Sequence, residues 1–167
     1  MIRIATAADL PLLPAIEVAA GKPFRALGMT AVADDAPPTV ADLERYLRDA
    51  RLWVAVDDAG RPVGYACADV VDGCAHLDQV SIDPQWSGRR IGAALIEEVS
   101  VWASRGGHRW LTLTTFAEVP WNAPYYRRLG FEPIPDTEVG PGLRAVRARE
   151  AEHGLDAWPR LAMRREC

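Results

Sequence analysis

Ser87-Gly88-Arg89-Arg90-Ile91-Gly92-Ala93 places two glycines and two arginines where a helix begins, since Ile91, Leu95, Ile96, Val99 and Trp102 recur at helical spacing. Leu77 to Ile82, just ahead of it, reads as a strand. A strand-to-helix turn of this kind presents unpaired backbone N–H groups at the positive end of a helix dipole, which suits an anion such as a pyrophosphate. Glycine allows close approach to the backbone, and Arg89 and Arg90 add charge. The plainer alternative is an ordinary glycine-containing turn into a surface helix. The stretch has neither the Gly-Lys-Ser/Thr ending of a P-loop nor the Gly-x-Gly-x-x-Gly spelling of a dinucleotide site.

Cys74, His76 and Asp78 form a second group, and with Val80 and Ile82 they share one strand face by the period of two. A nucleophilic relay is disfavoured, because residues two apart on a strand have Cα atoms roughly 6.7 Å apart and parallel side chains. The group also offers too few ligands for a closed zinc site, so no metal is expected. His76 and Asp78 are candidate proton acceptors, or a half-exposed polar pair with no chemical role.

The elements that must hold these residues follow in order. Met1 to Ile4 reads as a strand. Thr6 to Asp9 reads as a capping box opening a helix that runs towards Ala20. Residues 21–38 form a loop long enough to be functional, or a variable surface insertion. Thr39 caps a second helix. Strands follow at 52–56, 63–71 and 74–82, joined by hairpin turns at Asp58-Ala59-Gly60 and Asp72-Gly73. A helix from about Gly88 to Ser104 ends at Gly106-Gly107. The pattern continues with a strand (109–115), a short helix (123–129), a strand reaching Ile134, a helix (141–153) and a last strand (159–164). Trp53, Trp102 and Trp110 read as core, and His108 and His153 as solvated.

The chain has 167 residues, 49% of them hydrophobic and 25% charged, which bounds it to one globular domain with a real core. A net charge of −4 argues against nucleic acid or an anionic membrane as partner. Lys22 is the only lysine, a compositional bias and not a functional signal. Three cysteines without C-x-x-C spacing fit a reducing compartment. With no charged-then-apolar leader and no run of about 18 apolar residues, a cytoplasmic location is expected.

The glycine turn resembles the acyl-CoA loop of the GNAT superfamily of N-acetyltransferases, Gln/Arg-x-x-Gly-x-Gly/Ala after a Val-x-Val-x-Pro strand end. Here the frame reads Ser87-Gly88-Arg89-Arg90-Ile91-Gly92-Ala93-Ala94-Leu95 after Val80-Ser81-Ile82-Asp83-Pro84. Ser87 replaces Gln/Arg, and Arg90 replaces the middle glycine. Tyr125-Tyr126-Arg127-Arg128-Leu129-Gly130-Phe131 is similar to the family's second motif, an aromatic-Tyr pair followed three residues later by Gly-Phe. The family often carries Asn seven residues before the Tyr. Val119 stands there in this chain, and Asn122 lies four before it.

The resemblance spans nearly the whole chain and implies a mixed α/β (α+β) fold. Its central sheet would have about seven strands, mostly antiparallel, flanked by helices and splayed near the acyl-CoA loop. Residues 1–167 would form a single acetyltransferase domain. It further implies transfer of an acetyl group from acetyl-CoA to a primary amine by direct attack in a ternary complex. The acceptor would be a small-molecule amine or a peptide or protein amine, and a homodimer is one assembly to expect. Cofactor binding would fall to Val80, Ser81, Ile82, Ser87, Gly88, Arg89, Arg90, Ile91, Gly92, Ala93, Asn122 and Tyr126. Tyr126 matches the tyrosine that protonates departing CoA thiolate, and a phenol of pKa near 10 can supply that proton. His76, Asp78 or a water would take the amine proton. A non-catalytic acyl-CoA sensor on the same fold is the alternative.

Overall fold

The computed structural model describes residues 1–167. Seven strands make one sheet: β1 (Ile2–Ile4), β2 (Leu52–Val56), β3 (Pro62–Val71), β4 (Cys74–Ile82), β5 (Trp110–Phe116), β6 (Glu132–Pro133) and β7 (Arg160–Glu166). Their order is β1-β2-β3-β4-β5-β7-β6. The β1–β2, β2–β3, β5–β7 and β6–β7 pairs are antiparallel. The β4–β5 pair is parallel. Helix α4 (Ile91–Arg105) connects those two strands, and a parallel pair needs such a crossover. Its ladder is two pairs long, Ala75–Leu111 and His76–Thr112, although β4 continues to Ile82 and β5 to Phe116.

The chain forms two compact units. The first comprises Met1–Ala68 and Gln79–Val99. Here α1 (Leu13–Gly21) and α3 (Val40–Arg48) bury Leu13, Ile16 and Leu43 with Leu52, Val54 and Tyr65. The expected box at Thr39 forms, with Asp42 N–H donating to Thr39 Oγ1 and the Asp42 carboxylate accepting from Thr39 N–H. The box at Thr6 forms only by half. Asp9 accepts from Thr6 N–H at 2.7 Å, but the Thr6 hydroxyl donates to the same carboxylate instead of capping. Arg3 holds that carboxylate from the other side, and Pro11 opens a 3₁₀ turn, Leu10–Leu12, ahead of α1. Residues 21–38 are not a bare loop: they hold a 3₁₀ turn, Lys22–Leu27, and the short helix α2 (Thr30–Ala33).

The second unit comprises Asp69–Asp78 and Ser100–Cys167. It holds α5 (Ala123–Arg128) and α6 (Pro141–Glu152), and it buries Leu111, Leu113, Phe131, Leu143 and Met163. The β3–β4 hairpin turns on Asp72 and Gly73, with φ of 53° and 75°, the left-handed pair of a type I′ turn. Asp72 also fixes α6: Oδ1 accepts from Gly142 N–H at 2.7 Å and Oδ2 from Leu143 N–H at 2.9 Å. A Cβ on Gly140 or Gly142 would lie 2.5 or 2.7 Å from that carboxylate, so both positions need glycine. Trp53 is core as expected, but Trp102 and Trp110 are only half-buried. His108 is half-buried too; its Nδ1 lies 2.9 Å from Gly73 O and its ring 5.8 Å from that of Trp102.

Candidate active site

In the first unit, Asp83 turns the chain at the end of β4 by accepting from Gln85 N–H, and a 3₁₀ turn, Pro84–Trp86, follows. Ser87 is extended and exposed. Gly88 and Arg90 then take left-handed backbone, with φ of 75° and 60°. A Cβ on Gly88 would meet nothing within 4 Å, so conformation, not space, calls for glycine there. Arg90 accepts the same backbone without that freedom. The first helical bond of α4 runs from Ala94 N–H to Arg90 O at 3.0 Å. The amides of Ile91, Gly92 and Ala93 are thus left without an intrahelical acceptor. Arg89 is exposed with its guanidinium 4.6 Å over the Trp86 ring. Two cations, free amides and the helix dipole converge on one turn, a set suited to a pyrophosphate. Val80 and Ile82 are half-buried, and Ser81 is buried and accepts from Gln79 Nε2 at 2.8 Å.

In the second unit, His76 is 2% exposed and its Nδ1 lies 2.8 Å from Thr112 Oγ1. Burial pushes the imidazole below its ordinary value, against the pull of Asp78, Glu150, Asp69 and Asp72. A neutral imidazole is the form that can accept a proton. Asp78, by contrast, is exposed. The strict alternation read from the sequence does not hold along β4, where Ala75, His76 and Leu77 are buried in succession. Both faces of the strand are therefore covered at these three residues. Burial, and then Asp72, push the Cys74 thiol up, which keeps it protonated and a weak nucleophile.

Tyr126 lies on α5 and is 8% exposed. Its ring packs edge-on to Tyr125 and Phe131 at 5.7 and 5.8 Å. Burial and the neighbouring Tyr125 push the phenol above its ordinary value, so it is held protonated. Asn122 is the N-cap of α5. Its carbonyl accepts from Tyr126 N–H at 2.9 Å, while its side-chain Oδ1 is buried without a partner.

Sequence reasoning missed Thr112, although β5 places it directly opposite His76. It also missed two networks. In the first unit, the Tyr65 hydroxyl donates to Glu17, whose carboxyl burial pushes up. In the second, Arg160 and Thr114 both donate to Glu150.

Residues 48–133 match the family model described as Acetyltransferase (GNAT) domain, just over half of the chain. The chain belongs to the GNAT acetyltransferase family. It is 32% identical over 108 residues to an uncharacterized N-acetyltransferase, MJ1207, of Methanocaldococcus jannaschii, covering 60% of this chain and 46% of that protein. It is 32% identical over 94 residues to the peptidyl-lysine N-acetyltransferase YjaB of Salmonella typhimurium, covering 56% of this chain and 59% of that protein. The chain thus spans about half of the length of the curated relatives it matches. Its fold is similar to that of Rv2747 from Mycobacterium tuberculosis in complex with CoA and NLQ. The TM-score is 0.71 at 19% identity, over 100% of this chain and 99% of the other. No helix is long and apolar enough to cross a membrane.

Proposed function

We propose that the protein transfers an acetyl group from acetyl-CoA to a primary amine by direct attack. The observation that carries this reading is the turn into α4, where left-handed Gly88 and Arg90 precede the free amides of Ile91, Gly92 and Ala93. Those groups and Arg89 would hold the pyrophosphate, with β4 from Val80 to Ile82 offering backbone to the pantetheine. The Salmonella relative is named a peptidyl-lysine N-acetyltransferase, so a lysine ε-amine is the first acceptor to try.

In the reaction the amine nitrogen bonds to the acyl carbon and the C–S bond breaks. The amine proton passes to His76, or through water to Asp78. The CoA thiolate takes a proton from Tyr126, which burial keeps protonated until that moment. Cys74 has no part, in keeping with its raised thiol.

The test is ligand-linked stability. Acetyl-CoA should raise Tm by an amount that grows with the logarithm of its concentration once that exceeds Kd. Gly92→Glu, which adds bulk and a like charge to the turn, should abolish the shift. A folded Gly92→Glu protein that keeps the full shift would place the cofactor elsewhere.

A further inference from the structure

We infer that Thr112 is a positioning residue that fixes the tautomer of His76, so that Nδ1 carries the proton and Nε2 is the basic nitrogen. The inference rests on the proposed role of His76 as proton acceptor. Its structural part can be measured without a substrate.

Three groups meet in the second unit. His76 Nδ1 is 2.8 Å from Thr112 Oγ1, and the same oxygen is 3.3 Å from Ala75 O. Ala75 is fully buried, His76 is 2% exposed and Thr112 is 6% exposed, so each polar group depends on its neighbours. A hydroxyl has one hydrogen and two lone pairs, whereas a carbonyl oxygen can only accept. If the Thr112 hydrogen goes to Ala75 O, the hydroxyl oxygen is free to accept from Nδ1–H, and both short approaches are hydrogen bonds. If it goes to Nδ1 instead, only one bond forms and the Ala75 carbonyl loses this donor. Two buried bonds outweigh one, because an unmade bond in a dry site costs the desolvation of its group. The strand register holds this arrangement, since His76 and Thr112 are directly opposed in the parallel ladder that ends with them.

The consequence is directional. The Nδ1–H proton is spent on Thr112, and the lone pair available to an incoming amine is that of Nε2. Valine at 112 keeps the branched shape but gives Nδ1–H no acceptor. Serine keeps the hydroxyl.

The experiment is long-range ¹H–¹⁵N correlation NMR of the parent, Thr112→Val and Thr112→Ser at a pH where His76 is neutral. Turnover of acetyl-CoA with a lysine-containing peptide is measured beside it. The parent and Thr112→Ser should show the Nδ1–H pattern, and Thr112→Val should lose it. The valine variant should lower kcat by roughly 10²-fold, the lower end of what a general base supplies, with KM for acetyl-CoA unchanged. Serine should restore kcat. An Nε2–H tautomer in the parent overturns the inference, as does an unchanged tautomer in Thr112→Val. A lost tautomer with undiminished kcat overturns the catalytic role of His76. No acetyl transfer by the parent overturns the proposed function, whatever the spectra show.

Discussion

Gly88 and Arg90, two residues apart in the turn that feeds α4, share left-handed backbone, with φ of 75° and 60°. Only the first has the residue that adopts it freely. A side chain in that region costs roughly 1–2 kcal/mol, and glycine's extra freedom in the unfolded chain returns roughly 0.5–1 kcal/mol. Arg90→Gly should therefore stabilise the fold by about 0.5–1 kcal/mol in urea denaturation. A loss of stability would mean that the Arg90 side chain makes compensating interactions.

Tyr126 should matter to the transition state more than to cofactor binding. Tyr126→Phe keeps the ring against Phe131 and removes one hydroxyl. Turnover should fall by roughly 10²–10⁴-fold, while acetyl-CoA binding by calorimetry stays within a few-fold. Equal losses in both would make the hydroxyl a binding contact.

The α6 helix should depend on Asp72, which accepts from both Gly142 and Leu143 amides. Asp72→Ala removes the cap from a residue already at φ 53° and should cost about 1–2 kcal/mol in chemical denaturation. An effect under a few tenths of a kcal/mol would show that water replaces the carboxylate without loss.

Burial holds His76 below its ordinary value of 6.5, so the unfolded chain binds its proton more readily than the folded one. The stability this contributes is complete above the unfolded value and is lost as pH falls from there towards the lowered folded value. Between about pH 7.5 and 5.5 the parent should lose more stability than His76→Gln, which has nothing to titrate at that position. Parallel pH profiles for the two would place the imidazole in contact with water.

The order of elements and both motifs were legible because they are local. Glycine turns, the Thr39 box, the apolar runs of β2 and β3 and the helical period of α4 depend on neighbours along the chain. The Arg90 departure was legible as a residue type, and its cost became visible only with its φ. What the sequence hid was set across the sheet. Nothing near His76 in sequence points to Thr112, which lies 36 positions on and meets it through strand register. Period-two reasoning made His76 and Asp78 equivalent, yet one is buried and the other exposed, because the cover on their shared face reaches His76 and stops short of Asp78. At Thr6 the half-formed box is local: its hydroxyl donates to the Asp9 carboxylate, which Arg3 also holds in an ion pair.

The central claim is acetyl transfer to an amine, and mass spectrometry of the acceptor tests it most directly. The parent protein is incubated with acetyl-CoA and a panel of primary amines that includes lysine peptides, and released thiol is counted against acetylated amine. The account predicts one acetylated amine per CoA released, no acetyl group retained on Cys74, and the same outcome with Cys74→Ala. Acetyl-CoA bound without any acetylated amine across the panel, or a stoichiometric acyl-Cys74, would contradict it.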